Sequence, residues 1–248
     1  MLGTVIRGIV ELLWPPLTEC LLCGTPFGEQ GEERGVCRGC WSSMTFPRDL
    51  PRCSNCARPV SEPSDLCWDC AGGSPFGCVY ALGLHAGPLR ESIHHLKFAE
   101  RSMLAEPLGR RLGMKIQTRY NCIVPVPLHR SRRRERGYNQ AALIARGIAG
   151  VIGTPVEEEG LVRLRSTGHQ AKLHRGERMR NLAGAFGVKS PTPPWSGRSV
   201  LLVDDVLTTG TTAAAAAGVL WRSGACQVDL AVLAVSTKPA KANVQNAP

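Results

Sequence analysis

The thirteen residues from Val200 to Thr212, VLLVDDVLTTGTT, decide the fold and point to the functional site. A continuous apolar run ends at two adjacent carboxylates, Asp204 and Asp205, and such runs are typical of a buried strand. A Thr- and Gly-rich turn follows, and the Ala-rich stretch after Gly210 favours a helix. In an open parallel sheet, ligands bind where the carboxyl ends of strands meet helix N-termini. The stretch therefore predicts a strand that ends at the acidic pair, a ligand-binding turn and a helix.

The turn has the chemistry of a phosphate cradle. Backbone N–H groups at a helix N-terminus face outward, and the helix dipole adds about half a positive charge. Gly210 permits close approach of a ligand, and the threonine hydroxyls add donors. The two carboxylates suit a pair of sugar hydroxyls or Mg²⁺. The alternative is a threonine-capped helix beside solvated aspartates, but the strand, the acids and the loop in this order favour a ribose-phosphate ligand.

Apolar runs alternate with amphipathic stretches from Cys78 onward, which predicts an α/β domain. Four helices are predicted. Two have apolar residues at helical spacing, Leu89/Ile93/Leu96 and Leu104/Leu108/Leu112, a third follows Gly137, and a fourth runs from after Gly210 to Gly224. Further strands are predicted in CVYALGLH, NCIVPVP and QVDLAVLAVS. A strand, a helix and a strand in succession predict a parallel sheet flanked by helices.

The chain divides into four predicted parts. They are an amphipathic helix over residues 1–18, a cysteine-rich domain over 19–74, the α/β domain over 75–236 and a disordered tail over 237–248. The longest apolar runs fall short of the roughly 18 residues that a membrane span needs, and the N-terminal stretch lacks a small-residue cleavage site. We therefore expect a cytoplasmic protein without a membrane span.

Eight of the eleven cysteines form four C-x2-C pairs, a spacing typical of metal ligands rather than disulfides. Two quartets result, Cys20, Cys23, Cys37 and Cys40, then Cys53, Cys56, Cys67 and Cys70. Each supplies the four soft ligands that tetrahedral Zn²⁺ prefers and leaves no open position, so both sites are predicted to be structural. Sequential pairing is the simpler arrangement, and cross-braced pairing is the alternative.

The formal net charge is +10. Eight thiolates would remove eight charges and two Zn²⁺ would restore four, which leaves the protein basic. A basic balance suits an anionic partner, either a phosphate ester or nucleic acid. The arginine-rich block RSRRRERGYNQ, with its aromatic Tyr138, fits contact with nucleic acid phosphates, and it equally fits a solvated face or a diphosphate loop.

The opening stretch resembles the phosphoribosyl-pyrophosphate (PRPP) binding motif of type I phosphoribosyltransferases. The block VPVPLHRSRRRERGYNQA and the segment TGHQAKLHRGERMRNLAGAF are similar to two further motifs of the ComF family of competence-associated proteins, also known as GntX. The paired cysteine quartets resemble the double zinc ribbon of that family. Together these motifs span about residues 9–236, and their combination is far more specific than any one of them.

The resemblance implies a role for each matched position. Asp204 and Asp205 would bind the ribose hydroxyls of PRPP, and the 5-phosphate would be held by Thr208, Thr209, Gly210, Thr211 and Thr212. The turn after Pro127 would form the diphosphate loop, with His129, Arg132 and Arg136 near the diphosphate. Lys97, in an L-K-F element, would also approach the ligand. Residues Thr167 to Asn181 would form a mobile loop, with Gln170, Arg175 and Arg178 facing the ligand. Lys172 and His174 depart from the usual pattern of that loop.

The function that the resemblance implies is Mg²⁺-assisted transfer of phosphoribosyl from PRPP to an unidentified acceptor, linked to DNA uptake or nucleotide salvage. Two alternatives remain open. One is a non-catalytic DNA-handling protein, with single-stranded DNA or the competence machinery as its partner. The other is a module that senses PRPP or a nucleotide without turnover.

Overall fold

The computed structural model describes residues 18–27, 35–47, 49–61, 66–97, 99–165, 184–189 and 195–236. The predicted N-terminal helix, except residue 18, the loop from Thr167 to Asn181 and the tail from 237 onward lie outside these ranges. The helices are α1 (Arg38–Met44), α2 (Trp68–Ala71), α3 (Gly87–His95), α4 (Ala105–Gly113), α5 (Arg130–Arg136), α6 (Gln140–Ile152) and α7 (Thr211–Arg222), with a 3₁₀ helix at Ala99–Leu104. The strands are β1 (Val79–Leu84), β2 (Cys122–Pro125), β3 (Leu161–Arg163), β4 (Phe186–Val188), β5 (Ser199–Leu207) and β6 (Gln227–Val235).

The central sheet has four parallel strands in the order β1-β6-β5-β2. This confirms the parallel α/β sheet predicted from the apolar runs. The segment Val200–Val203 of β5 is fully buried, because β5 pairs with β2 on one side and β6 on the other. The opening stretch therefore forms an inner strand, which places its carboxyl end at the middle of one sheet edge.

The strand β5 does not end at Asp204 and Asp205, as the sequence predicted, but continues to Leu207. It continues because Val206 and Leu207 remain paired with Ala234 and Val235 of β6. The acidic pair therefore lies within a rigid strand, and the turn to α7 comprises Thr208 to Gly210. This gives the carboxylates a firmer backbone than a loop would.

Alternate residues of the sheet face two separate apolar layers. Leu201 and Val203 pack in the same layer as helices α3, α4 and α6, whereas Val200 and Leu202 lie in the layer that contains α7. The first cysteine quartet and α1 join the former layer, and the second quartet joins the latter. The two cysteine-rich segments are thus packed on opposite faces of the sheet.

The antiparallel pair of β3 and β4 lies outside the central sheet and contacts α7. Its pairing of Leu161 with Val188 and of Arg163 with Phe186 brings the side chain of Arg163 over the Phe186 ring, at 5.4 Å from the ring centroid. Among the described residues, no helix is both long enough and apolar enough to cross a membrane.

Candidate functional site

The acidic pair and the N-terminus of α7 form the centre of the site. Gly210 precedes α7 in a left-handed conformation, with φ of 76°, and no described side chain caps the helix. The hydroxyls of Thr209 and Thr211 lie 2.7 Å apart at this end. The threonine-capped alternative therefore does not describe this turn, and the first N–H groups of α7 are available to an anion.

Burial and the neighbouring Asp205 carboxylate raise the pKa of Asp204 well above its usual value. The backbone N–H of Asp205 donates to Asp204 Oδ1 at 2.9 Å, which compensates in part. The buried guanidinium of Arg163 also lies close enough to favour the ionised carboxylate. Hydrogen-bond donors or a cation would stabilise a charged pair of this kind, and sugar hydroxyls are such donors.

A short hydrogen-bond chain orients Asp205. Gln140, which is buried at the start of α6, donates through Nε2 to Asp205 Oδ2 at 3.4 Å. Arg136 in turn donates through Nη1 to Gln140 Oε1 at 3.1 Å. Arg136 is thereby connected to the acidic pair through one intervening amide.

The diphosphate turn predicted after Pro127 is short, because α5 begins at Arg130. His129 caps this helix, and its ring nitrogen Nδ1 accepts from the N–H of Ser131 at 3.3 Å. Arg132 and Arg136 therefore project from a helix rather than from a loop, and no residue of α5 is buried. Burial lowers the pKa of the Arg163 guanidinium, and the nearby positive charge of Arg132 lowers it further.

A third strand contributes polar groups to the same edge. His85 follows β1, and burial lowers its pKa, as do the positive charges of Lys97 and Arg90, while Asp205 opposes this shift. Lys97 follows α3, where the Tyr138 hydroxyl donates to the carbonyl of Leu96 at 2.7 Å. His85 therefore lies close to Asp205, and Lys97 lies close to His85.

The structure brings Asp204, Asp205, the turn Thr208–Thr212, and the cations Arg132 and Arg136 to one edge, with Lys97 nearby. Gln170, Arg175 and Arg178 lie outside the described residues. The geometry adds three residues to which the sequence assigned no role, namely His85, Gln140 and Arg163, although Gln140 belongs to the matched block VPVPLHRSRRRERGYNQA. His85 and Gln140 stand at the ends of elements that the sequence did predict, whereas Arg163 lies on β3, which it did not.

The two cysteine quartets assemble as sequential clusters. In each quartet the four sulfur atoms lie within 4.8 Å of one another. Sulfur separations of 3.9 Å between Cys20 and Cys40 and 3.5 Å between Cys56 and Cys67 fit a Zn²⁺ tetrahedron, whose sulfurs are about 3.8 Å apart. The N–H of Cys67 donates to Cys53 Sγ at 3.2 Å, as expected around a thiolate. The donor set fits two structural zinc ions.

Comparison with known proteins supports both the zinc ribbons and the α/β domain. Residues 9–71 match the double zinc ribbon domain, and residues 139–248 match the phosphoribosyl transferase domain. The chain is 32% identical over 223 residues to the DNA utilization protein YhgH of Escherichia coli K12, across 85% of this chain and 94% of the relative. It is 28% identical over 189 residues to competence protein F of Haemophilus influenzae, across 73% of this chain and 81% of that protein.

Among solved structures, the glutamine PRPP amidotransferase of Bacillus subtilis, complexed with ADP and GMP, is similar over 52% of this chain and 25% of its own. The sequence identity is 22% and the TM-score is 0.38. The parallel sheet flanked by helices, together with the matched domains, defines a protein of the phosphoribosyltransferase fold class with an N-terminal double zinc ribbon. Within that class, the chain belongs to the ComF family.

Proposed function

We propose that this protein binds PRPP at the carboxyl edge of its sheet and transfers the phosphoribosyl group to an acceptor. The carboxylates of β5 carry this proposal, because the uncapped N-terminus of α7 follows them in the chain and the guanidinium of Arg163, which is close to Arg132 of α5, lies near Asp204. A ribose 5-phosphate with an anionic group at C1 requires donors at both ends and acceptors in the middle. The turn before α7 and the arginines of α5 supply donors, and Asp204 and Asp205 supply acceptors, which supports the proposal.

Each group has a definite task in the proposed complex. Asp204 and Asp205 accept hydrogen bonds from the ribose hydroxyls, and the N–H and hydroxyl groups of Thr208–Thr212 hold the 5-phosphate. His129, Arg132, Arg136 and Lys97 face the diphosphate. Mg²⁺ bound with PRPP would supply positive charge to the diphosphate oxygens, which are ligands that this ion prefers.

In the proposed transfer, an acceptor nucleophile forms a bond to C1 as the bond from C1 to the diphosphate oxygen breaks. The electron pair of that bond leaves with pyrophosphate, and the cationic side chains stabilise its charge. The nearby Asp204 and Asp205 favour the positive charge that develops on the ribose ring.

Pyrophosphate release tests the proposed transfer. We expect the zinc-replete protein to release pyrophosphate when it is incubated with PRPP, Mg²⁺ and a panel of nucleobases, and the Arg132→Gln variant to do so more slowly. Tight PRPP binding without release for any acceptor would favour the sensing alternative over an enzyme. Absence of PRPP binding would refute both.

A second candidate function, handling of single-stranded DNA, is favoured by α5. Arg130, Arg133 and Arg134 of this helix are exposed, and the E. coli relative is named a DNA utilization protein. This role would link the protein to DNA uptake and the competence machinery, whereas the transfer alone would fit nucleotide salvage.

The DNA-handling role predicts single-strand affinity that falls steeply with salt and drops when Arg132, Arg133 and Arg134 are changed together to Gln. A change of the exposed Arg119, which precedes β2 and so lies at the opposite end of that strand from α5, to Gln serves as the control. Equal affinity of the triple variant and the control would rule out α5 as the DNA-binding element.

A further inference from the structure

Arg58 connects the second zinc ribbon, the segment that contains Cys53, Cys56, Cys67 and Cys70, to the phosphate turn, the residues Thr208 to Gly210 between β5 and α7. The Nη2 atom of Arg58 donates to the backbone carbonyl of Thr208 at 2.6 Å. Thr208 is the first residue of the turn between β5 and α7, and the Arg58 side chain is only 7% exposed. A partly buried, short, charge-assisted hydrogen bond therefore joins the ribbon to the backbone that would cradle the 5-phosphate.

The position of Arg58 is set by the metal-binding turn itself. Arg58 follows the ligand Cys56 by two residues, and its carbonyl accepts from the N–H of Cys53 at 2.8 Å. Ala57 between them adopts the left-handed conformation, with φ of 57°, which closes the turn around the two cysteines. The side chain of Arg58 consequently starts from a backbone that the second cysteine quartet holds in place.

The ribbon is also fixed to the sheet at its other side. The N–H of Val79, the first residue of β1, donates to the carbonyl of Asn55 at 3.0 Å, and Asn55 Nδ2 donates to the carbonyl of Gly77 at 3.0 Å. These bonds tie the turn that carries Arg58 to the start of β1. The backbone that carries Arg58 is therefore fixed to β1, and its side chain connects this fixed backbone to Thr208.

The second ribbon and the start of α7 share an apolar cluster, in which Cys53 and Cys56 lie with Leu207 and Ala213. A cavity of about 370 Å³ lies between the second ribbon and α7, and its walls include Phe76, Phe186, Ala214 and Gly218. Arg58, Thr209 and Gly210 line the same cavity. Beside this cavity, and in addition to the shared apolar cluster, the bond from Arg58 joins the ribbon directly to the backbone of the turn.

Arg58 also brings positive charge to the cradle. A Cβ atom built on Gly210 would lie 3.8 Å from Arg58 Nη2, so the guanidinium stands beside the glycine that admits the phosphate. Its charge adds to the dipole of α7 at the same place.

We propose that Arg58 is a positioning residue that holds the phosphate turn in its binding conformation, and that the second zinc ribbon is thereby part of the phosphate site. The identity of the ligand rests on the proposed function, but the support of the turn by Arg58 does not. The first ribbon packs on the opposite face of the sheet.

Hydrogen–deuterium exchange of the full-length, zinc-replete protein tests this proposal. We expect Arg58→Ala to speed exchange of residues 208–216 by at least about tenfold, because the first turn of α7 loses its support. Exchange of residues 53–60 should stay unchanged, with two zinc ions still bound.

The matched control is Arg52→Ala, since Arg52 belongs to the same ribbon but lies over the Phe46 ring at 4.5 Å. The Arg58→Lys variant, which keeps the charge and one donor, should fall between the wild type and Arg58→Ala.

Unchanged exchange of residues 208–216 in Arg58→Ala would overturn the proposal, and so would an equal effect of Arg52→Ala. Faster exchange over the whole ribbon in Arg58→Ala would also overturn it, because that result would indicate unfolding of the ribbon. Calorimetry with PRPP gives a second readout, in which Arg58→Ala should weaken binding about tenfold and Arg52→Ala should not. If the wild type does not bind PRPP while the exchange result holds, the proposed function fails and the positioning role stands.

Discussion

Two aspartates near the core, Asp204 and Asp229, show how the same residue type serves different purposes. Asp229 is 2% exposed and accepts hydrogen bonds from the Tyr120 hydroxyl at 2.6 Å, the N–H of Cys78 at 2.8 Å and the Gln227 amide at 2.8 Å. Asp204 instead lies beside a second carboxylate, and its pKa is raised. Asp229 is therefore satisfied by the fold, whereas Asp204 lies against a second negative charge, which fits the ligand-binding role proposed for it.

The Asp204→Asn change is expected to stabilise the free protein by about 1 kcal/mol at pH 8 while it impairs PRPP binding. Because the pKa of Asp204 is higher in the folded state, the folded protein loses stability as pH rises from the unfolded pKa through the folded value. The gain on substitution should therefore shrink as the pH falls towards 5. Thermal unfolding between pH 5 and pH 8 measures this, and a variant that is less stable at pH 8 would contradict it.

The Asp229→Asn change should have the opposite effect on stability. Asparagine cannot accept from the Tyr120 hydroxyl, Cys78 N–H and Gln227 amide in the way a carboxylate does, so the variant should lose about 2 kcal/mol of unfolding free energy. Chemical denaturation at pH 7 checks this. A loss comparable to that of a surface substitution would show that the network contributes little.

At the level of elements, the apolar runs predicted the strands of the central sheet and the helices α3, α4, α6 and α7. The end of β5 was predicted two residues too early, because pairing with β6 continues past the polar acidic pair. The helix α5 was not predicted, since its arginines have no apolar periodicity and it buries no residue. The contacts of Gln140 with Asp205 and of Arg58 with Thr208 join residues 65 and 150 positions apart, and no local pattern encodes them.

Close packing of α4 against α6 gives a prediction at this scale. The two helices meet at Gly109 and Gly147, where an added Cβ on Gly147 would clash with the carbonyl of Glu106 and the backbone of Arg110. Gly147→Ala should therefore force the helices apart and cost about 1 to 3 kcal/mol, measured by denaturant unfolding. Gly218→Ala, where the nearest neighbour is the flexible side chain of Arg222 at 3.2 Å, should cost less. Equal costs would mean that the close approach at Gly147 is easily relaxed.

Across the whole molecule, the two zinc ribbons pack against opposite faces of one sheet. The described parts of the ribbons bury few large apolar side chains, among them Val36, Trp41 and Met44, so bound metal must supply much of their local stability. The four-strand sheet and its helices do not share this dependence. Loss of zinc should therefore unfold the ribbons before the rest of the chain.

Zinc content gives a whole-molecule prediction that separates sequential from cross-braced pairing. The wild type should contain two zinc ions per chain, and a variant with Cys20, Cys23, Cys37 and Cys40 all changed to Ser should retain one. Sequential quartets leave the second site intact, whereas cross-braced pairing would leave neither site with four thiolates. Elemental analysis of the purified variant distinguishes the two, and a zinc-free but folded variant would contradict the observed clusters.

The central claim is that the acidic pair and the turn before α7 bind PRPP, and calorimetric titration tests it most directly. The wild type with Mg²⁺ should bind PRPP at one site per chain, and the Asp204→Asn, Asp205→Asn double variant should show no measurable binding while it keeps both zinc ions and a cooperative thermal transition. The result that would contradict the account is PRPP binding by the double variant with the affinity of the wild type.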